Sequence, residues 1–293
     1  MRGRGRVSPN PLVGAVVVRD GVVVGEGWHE GPGTPHAEVG ALRAAGDGAR
    51  GATVICTLEP CSHHGRTPPC CDALIGAGVS RVVVGCLDPL ERDRAGGASV
   101  LRAAGIDVAV APEDEAAVCR ELNAPFFTHA VTGRPLVTLK LATSLDGKVA
   151  TVSGETRWIS GPQSRELVHR WRADADAVAV GIGTARADDP VLTARGVDGA
   201  FRQPLRVVFD GHARLPHRGA LIAGAREVPV LIFAGEAADP ERVAALRDAG
   251  AEVVQLPGSD AERIGHALDE LGRRDVQSVF LEGGPTRAEA FLA

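Results

Sequence analysis

The chain has no tyrosine and a single methionine, and aromatic residues make up only 3% of it. Proteins that hold single-stranded nucleic acid stack bases on aromatic platforms, and such platforms are not available here. Lysine is almost missing as well. Of 32 basic residues only Lys140 and Lys148 are lysine, and the rest are arginine. The net charge is −5 and the isoelectric point about 6.0, the wrong sign for a duplex binder that neutralises phosphates. No nucleic-acid partner is therefore expected. No run of about 18 apolar residues occurs, so neither a spanning helix nor a membrane partner is expected. The basic start MRGRGRVSPNP leads into no signal-type apolar core, and a cytoplasmic location is expected. Six cysteines in 293 residues are too few for a disulfide scaffold.

What is present supports a large core. Hydrophobic residues make up 44% and charged residues 24%, and the length favours two domains. Short β-branched runs alternate with helical segments, the pattern of an α/β protein. In the first half, strands are expected at Val13–Val18, Val22–Glu26, Thr53–Thr57, Val82–Gly85 and Asp107–Val110. Helices are expected at Ala37–Ala45, Cys70–Ala77, Ser99–Ala104 and Glu113–Leu122. The second half offers strands at Leu136–Leu141, Ala177–Gly181, Leu205–Phe209, Val228–Phe233, Glu252–Gln255 and Ser278–Leu281. Its helices fall at Pro162–Arg172, Pro240–Ala249 and Ala261–Leu271. The junction lies near Phe127–Pro135, which divides the chain into residues 1–130 and 131–293. Both ends read as cut, so the second domain is expected to be C-terminally incomplete, with a sheet edge left open.

The sharpest chemical signal is Pro35-His36-Ala37-Glu38, followed by Pro60-Cys61 and Pro69-Cys70. One histidine and two cysteines leave an open fourth position on a tetrahedral Zn²⁺, as catalytic zinc requires. Each candidate ligand follows a proline, and proline favours the first turn of a helix, so His36 and Cys70 are expected at helix N-termini. Glu38 is spaced to reach a water at the metal without ligating it, the role of a general acid/base. Alternatives stand beside this reading. Cys71 competes with Cys70 as a ligand. His63 or His64 could close the site as a fourth, structural ligand, contact substrate, or be ordinary loop residues. Cys56 and Cys86, in strand-like runs, read as buried small hydrophobes.

The string Thr57-Leu58-Glu59-Pro60-Cys61-Ser62-His63-His64-Gly65-Arg66-Thr67-Pro68-Pro69-Cys70 departs from the C-x-x-C half of the zinc deaminase signature. It resembles instead the deaminase half of the bifunctional riboflavin-biosynthesis deaminase/reductase family. Ser8-Pro9-Asn10-Pro11-Leu12-Val13-Gly14 resembles that family's N-terminal substrate loop. The resemblance implies a cytidine-deaminase-like three-layer domain. It also implies one zinc per chain on His36, Cys61 and Cys70, with Glu38 catalytic and Asn10 at the substrate.

In the second half, Lys140–Lys148, Trp158–Pro162, Gly181–Pro190, Arg202–Asp210 and Glu282-Gly283-Gly284-Pro285-Thr286 together resemble the reductase half of the same family. Gly283-Gly284 between a strand and a helix is a phosphate cradle or an ordinary turn. The resemblance implies a dihydrofolate-reductase-like domain that uses NADPH. Substrate-contacting positions fall on Thr156, Trp158, Arg172, Leu192, Arg195 and Glu282, and NADPH-contacting positions on Ala142, Thr184, Asp188 and the turn from Gly284 to Ala290. Arg172 and Arg195 form a sensible phosphate clamp. Lys140 and Glu282, each at a strand end, are expected to share the reductase pocket.

The implied function is deamination of 2,5-diamino-6-(5-phosphoribosylamino)pyrimidin-4-one, followed by NADPH-dependent reduction of its ribosyl chain to ribityl. The partner is then a small phosphorylated pyrimidine, and the assembly a homo-oligomer. The alternative is a single-activity zinc pyrimidine deaminase with a degenerate reductase domain. A nucleic-acid base editor and a non-catalytic assembly protein are disfavoured, the first by charge and the second by the intact His36, Glu38, Cys61 and Cys70 set.

Overall fold

Asp20 and Gly21 both take left-handed backbone conformations, with φ of 50° and 78°. That is the turn chemistry joining adjacent antiparallel strands, and here it joins β1 (Gly14–Arg19) to β2 (Val22–Trp28). The computed structural model describes residues 2–91, 96–151, 159–199, 201–284 and Phe291. The chain divides into two units, Met1–Thr132 and Gly133–Ala293.

In the first unit a five-stranded sheet runs in the order β2-β1-β3-β4-β5, with β3 at Thr53–Leu58, β4 at Arg81–Cys86 and β5 at Asp107–Val110. β1 is antiparallel to both neighbours, and β3, β4 and β5 are parallel. Helices α1 (Ala37–Ala45), α2 (Cys70–Ala77) and α3 (Gly97–Ala103) bury Ala37, Ala41, Cys71, Leu74, Ala98 and Leu101 against Val17, Val54, Val82 and Val84. Helices α4 (Glu113–Leu122) and α5 (Ala124–Thr132) build a second cluster around Leu58, Cys86, Ala116 and Phe126. Glycine sets how closely α1 approaches the sheet. A Cβ on Gly27 would lie 2.1 Å from the Ala37 carbonyl oxygen, so only glycine lets the first turn of α1 rest on β2.

The second unit is built on a six-stranded parallel sheet, ordered β10-β9-β8-β7-β11-β6. Its strands are β6 (Leu136–Lys140), β7 (Ala177–Gly181), β8 (Leu205–Phe209), β9 (Val230–Gly235), β10 (Glu252–Leu256) and β11 (Ser278–Glu282). Helices α6 (Pro162–Asp174), α7 (Ile182–Asp188), α8 (Ala220–Ala223), α9 (Pro240–Asp248) and α10 (Asp260–Arg273) lie between them. Alternate strand residues feed two core clusters, Val178, Val180, Val208 and Ile232 in one, Ala179, Val207, Leu231 and Leu281 in the other. Burial on both faces explains why these strands read as continuous apolar runs. The chain steps outward from β7 to β10, then returns with β11 between β7 and β6. In such sheets ligands bind beyond the carboxyl ends of the strands, where the order reverses.

Three expectations shift. A turn is expected from Thr132, and the chain does turn at Gly133 (φ 70°), but α5 runs up to it. Pro125 sits in the first turn of α5, where its missing N–H breaks nothing. Two short helices, α7 and α8, lie where no element is expected. β9 starts at Val230 rather than Val228, because Pro229 has no N–H for the ladder and the Val228 carbonyl is taken by the Arg206 guanidinium. Among the described residues, β11 is paired on both sides, so the outer strands are β6 and β10.

Candidate functional site

His36 is the N-cap of α1 and makes no capping bond with its side chain, so its ring is left to the site. Cys70 opens α2, with Pro69 itself as the N-cap rather than the first helical residue. Cys61 follows β3 on the turn Glu59-Pro60. The ligand atoms of His36, Cys61 and Cys70 all lie within 4.8 Å of one another, the one such group found among the described residues. His36 Nδ1 is 3.2 Å from Cys70 Sγ and 3.5 Å from Cys61 Sγ, and the Cys70 amide donates to Cys61 Sγ at 3.3 Å. Bonds of about 2.0 Å to nitrogen and 2.3 Å to sulfur around a tetrahedral ion set those atoms about 3.5 Å apart, so the trio fits Zn²⁺.

The turn that presents Cys61 is held from behind. Buried Glu59 accepts hydrogen bonds from the Asp88 amide at 3.0 Å and the Ala98 amide at 2.8 Å. A Cβ on Gly97 would sit 1.8 Å from the Pro60 carbonyl oxygen, so α3 abuts this turn through bare backbone. Cys71 resolves the competition between adjacent cysteines. It is fully buried, with its thiol toward the Pro60 and Gly97 carbonyls at 3.7 and 3.6 Å, away from the trio. His63 and His64 are exposed and supply no fourth ligand atom to the group. Cys56 and Cys86 are buried, as expected of small hydrophobes.

Glu38 is 3% exposed, on the first turn of α1, and its carboxyl hydrogen-bonds with Cys70. Burial pushes its pKa above the carboxylate range. The Cys70 thiol donates toward Cys61, which holds Cys61 down at about 4 and pushes Cys70 upward. The bond to Cys61 raises His36. Asn10 Nδ2 donates to His29 Nε2 at 2.9 Å, and the His29 ring meets the His36 ring edge-on at 5.3 Å. Asn10 therefore stands one ring away from the metal-ligating atoms. Burial lowers the pKa of His29, whose ring lies 3.3 Å from the Pro35 carbonyl.

In the second unit Lys140 and Glu282 are register partners, each the last residue of its strand, and not the positions just before and just after the strand ends. Register partners on parallel strands send their side chains to the same face. Arg172, on α6, grips Glu282 with both ends of its guanidinium, Nε to Oε1 at 2.5 Å and Nη2 to Oε2 at 2.9 Å. Its Nη1 donates to the Thr193 carbonyl at 3.1 Å. Arg172 thus pairs with a carboxylate, and its third guanidinium nitrogen with a backbone carbonyl. The His169 Nδ1 accepts from the Arg195 amide at 3.3 Å, so α6 anchors the loop carrying both Leu192 and Arg195. Leu192 is 2% exposed at φ 57°, so its side chain belongs to the core. Buried Arg206 fixes the same loop by donating to the Val191 carbonyl at 3.2 Å. Ala142 lies two residues beyond β6. Thr184 and Asp188 lie one turn apart on α7, which leaves the end of β7. Gly284 lies two residues beyond β11. Thr156, Trp158 and positions 285–290 lie outside the described residues.

Comparison with known proteins fits both halves. Residues 2–86 match the cytidine and deoxycytidylate deaminase zinc-binding region, and residues 135–293 match the RibD C-terminal domain. The riboflavin biosynthesis protein RibD of Aquifex aeolicus is 44% identical over 99% of this chain and 79% of its own length. The chain belongs to the RibD family. The RibD of Escherichia coli is 42% identical over 99% of this chain and 80% of its own length. A solved RibD structure from Acinetobacter baumannii superposes with a TM-score of 0.86 at 40% identity, over 99% of this chain and 79% of that one.

This is a riboflavin-biosynthesis enzyme with a deaminase domain and a reductase domain, which sets aside the single-activity alternative. A RibD reductase domain calls for a nicotinamide cofactor. The residues present suit one, because among the described residues a Cβ on Gly183 or Gly284 would meet no atom within 4 Å, leaving backbone open beyond β7 and β11. No helix of the described residues is long and apolar enough to cross a membrane. The sequence singles out neither His29, Glu59 nor His169. Each acts through a partner distant in sequence, and no local spacing marks them.

Proposed function

We propose that the first domain deaminates 2,5-diamino-6-(5-phosphoribosylamino)pyrimidin-4-one and that the second reduces the ribosyl chain of the product with NADPH. The observation that carries the reading is the buried Glu38 carboxyl beside three metal-ligating atoms. A Thermotoga maritima chain 38% identical over 99% of this chain and 79% of its own is described as a diaminohydroxyphosphoribosylaminopyrimidine deaminase/5-amino-6-(5-phosphoribosylamino)uracil reductase.

His36, Cys61 and Cys70 would hold one zinc per chain, and bound zinc polarises water and lowers its pKa toward neutrality. Glu38 takes a proton from the attacking water and delivers it to the departing amine. One water is consumed, a carbonyl replaces the amine, and ammonia leaves. Burial raises the Glu38 carboxyl above its ordinary value, which suits it better to taking up and releasing that proton than an exposed carboxylate would be. Asn10 has its amide fixed by His29 and serves to orient the pyrimidine.

In the second domain Lys140 and Glu282 stand side by side at the carboxyl ends of β6 and β11, the end at which such sheets bind ligands. Substrate contacts are assigned to these two with Thr156, Trp158, Arg172, Leu192 and Arg195, where Leu192 offers backbone rather than side chain. Cofactor contacts are assigned to Ala142, Thr184, Asp188 and Gly284. NADPH, when bound, would supply the hydride that, with a proton, reduces the ring-opened ribosyl carbon to ribityl.

The test is a coupled assay on the diaminopyrimidinone with and without NADPH. Ammonia is expected in both arms and NADPH oxidation only after deamination. A zinc-loaded chain that releases no ammonia overturns the first assignment. Ammonia release without any NADPH oxidation overturns the second.

A further inference from the structure

The eight residues between Cys61 and Cys70 are a longer spacer than the C-x-x-C arrangement of the broader deaminase signature. The spacer does more than connect. It folds back so that Thr67 Oγ1 lies 3.2 Å from His36 Nε2, the ring nitrogen opposite the one facing the sulfurs. His36 Nδ1 lies 3.2 and 3.5 Å from the two sulfurs. A metal at the trio needs the Nδ1 lone pair, which requires the proton to sit on Nε2. Nε2–H then needs an acceptor, and among the described residues the hydrogen bond recorded for Nε2 is the one to Thr67.

We infer that Thr67 is a positioning residue that fixes the tautomer and ring orientation of His36 for zinc. The inference rests on the zinc reading of His36, Cys61 and Cys70. The hydroxyl comes from the spacer between the cysteines, so the long loop supplies part of the metal site's outer support. The edge-on His29 ring limits His36 from another side, 5.3 Å away, but supplies no acceptor to Nε2. Outer partners of this kind set metal affinity by about 10- to 100-fold.

Thr67→Val keeps the shape and removes the acceptor, while Thr67→Ser keeps the acceptor. Zinc-loaded full chains are titrated with a chromophoric chelator, and the cobalt-substituted forms are compared by their visible ligand-field bands. Thr67→Val is expected to surrender zinc to the chelator at about 10- to 100-fold lower concentration and to show altered cobalt bands. Thr67→Ser is expected to track the wild type in both. Thermal unfolding of the metal-free forms is expected to be the same for all three. Equal zinc affinity and equal bands in wild type and Thr67→Val overturn the assignment, as does a serine variant as weak as valine. A wild-type chain that holds no zinc removes the metal reading itself, an outcome distinct from failure of Thr67 alone.

Discussion

The two sites are assembled by different means. The deaminase site takes four residues from a short stretch, His36 to Cys70, and brings them together at two helix starts and a strand end. The proposed reductase site pairs Lys140 with Glu282 across 142 positions, and only strand order makes them neighbours. Their carboxylates differ in the same way. Among the described residues no Lys or Arg pairs with Glu38, which is raised by burial, whereas Glu282 is held on both oxygens by Arg172. One site keeps a carboxyl ready to exchange a proton, and the other fixes a carboxylate in place.

The largest expected effect tests the first half of that contrast. Glu38→Gln preserves shape but cannot shuttle protons, so deamination should fall by about 10²- to 10⁴-fold while zinc stays bound. Reduction of already deaminated substrate should be unchanged. Ammonia release, metal analysis and NADPH oxidation on one preparation check all three. Cys61→Ser should lose the metal, whereas Cys71→Ser should keep it, since Cys71 faces two backbone carbonyls. Retained turnover in Glu38→Gln would mean that the proton carrier lies elsewhere.

The second half of the contrast is tested at Arg172. Its side chain is 12% exposed and that of Glu282 13%. Arg172→Leu strands a buried carboxylate and should destabilise the second unit by about 3 kcal/mol, leaving zinc content and ammonia release intact. Adding Glu282→Leu should recover most of that stability, because replacing both charges by apolar groups removes the stranded one. Reduction should stay lost in the double variant. Urea unfolding followed beside NADPH oxidation separates the two roles, and recovery of reduction would show that neither residue touches substrate.

How much could be read in advance follows from the same difference. Strands such as Ala177–Gly181 and Leu205–Phe209 run as expected, because two-sided burial writes apolar runs into the sequence. The zinc trio was legible because catalytic ligands must come in particular types, and here each follows a proline. Arg172 was legible as an anion-binding arginine, but its Glu282 partner, 110 positions away, was not. A phosphate and a carboxylate attract a guanidinium equally well, and only the fold says which is present. Thr67 stood inside a recognised motif, yet its task depends on the loop folding back. Helix α7 was hidden in a glycine-containing string whose first residues follow the strand directly.

A smaller effect, again confined to the second unit, lies at the start of α10. Ser259 caps the helix by accepting from the Glu262 amide, and the Glu262 carboxylate accepts in return from the Ser259 amide at 2.7 Å. Ser259→Ala should cost about 1 kcal/mol, measured by urea unfolding. Neither zinc affinity nor ammonia release should change, since the metal trio and the deaminase helices belong to the other unit.

The smallest effect concerns acid, and it sharpens the contrast between carboxylates. Glu252 accepts from Arg274 through both oxygens, at 2.6 and 2.9 Å, and that bonding holds its pKa below the ordinary 4.5. Asp269 is held below its ordinary 3.8 by Arg134 in the same fashion. A carboxylate depressed by folding contributes stability that is complete above its unfolded value. That contribution fades as pH falls through the folded one. For Glu252 the window opens near pH 4.5 and extends downward. The Glu252 side chain is 56% exposed, so solvent screens the pair and about 0.5 kcal/mol is at stake. Unfolding of Glu252→Gln against wild type at pH 7 and again at pH 3 should show a small deficit at the higher pH that narrows at the lower. Added salt should shrink it at pH 7. A deficit that persists unchanged at pH 3 would mean that the side chain acts through packing and not through its charge.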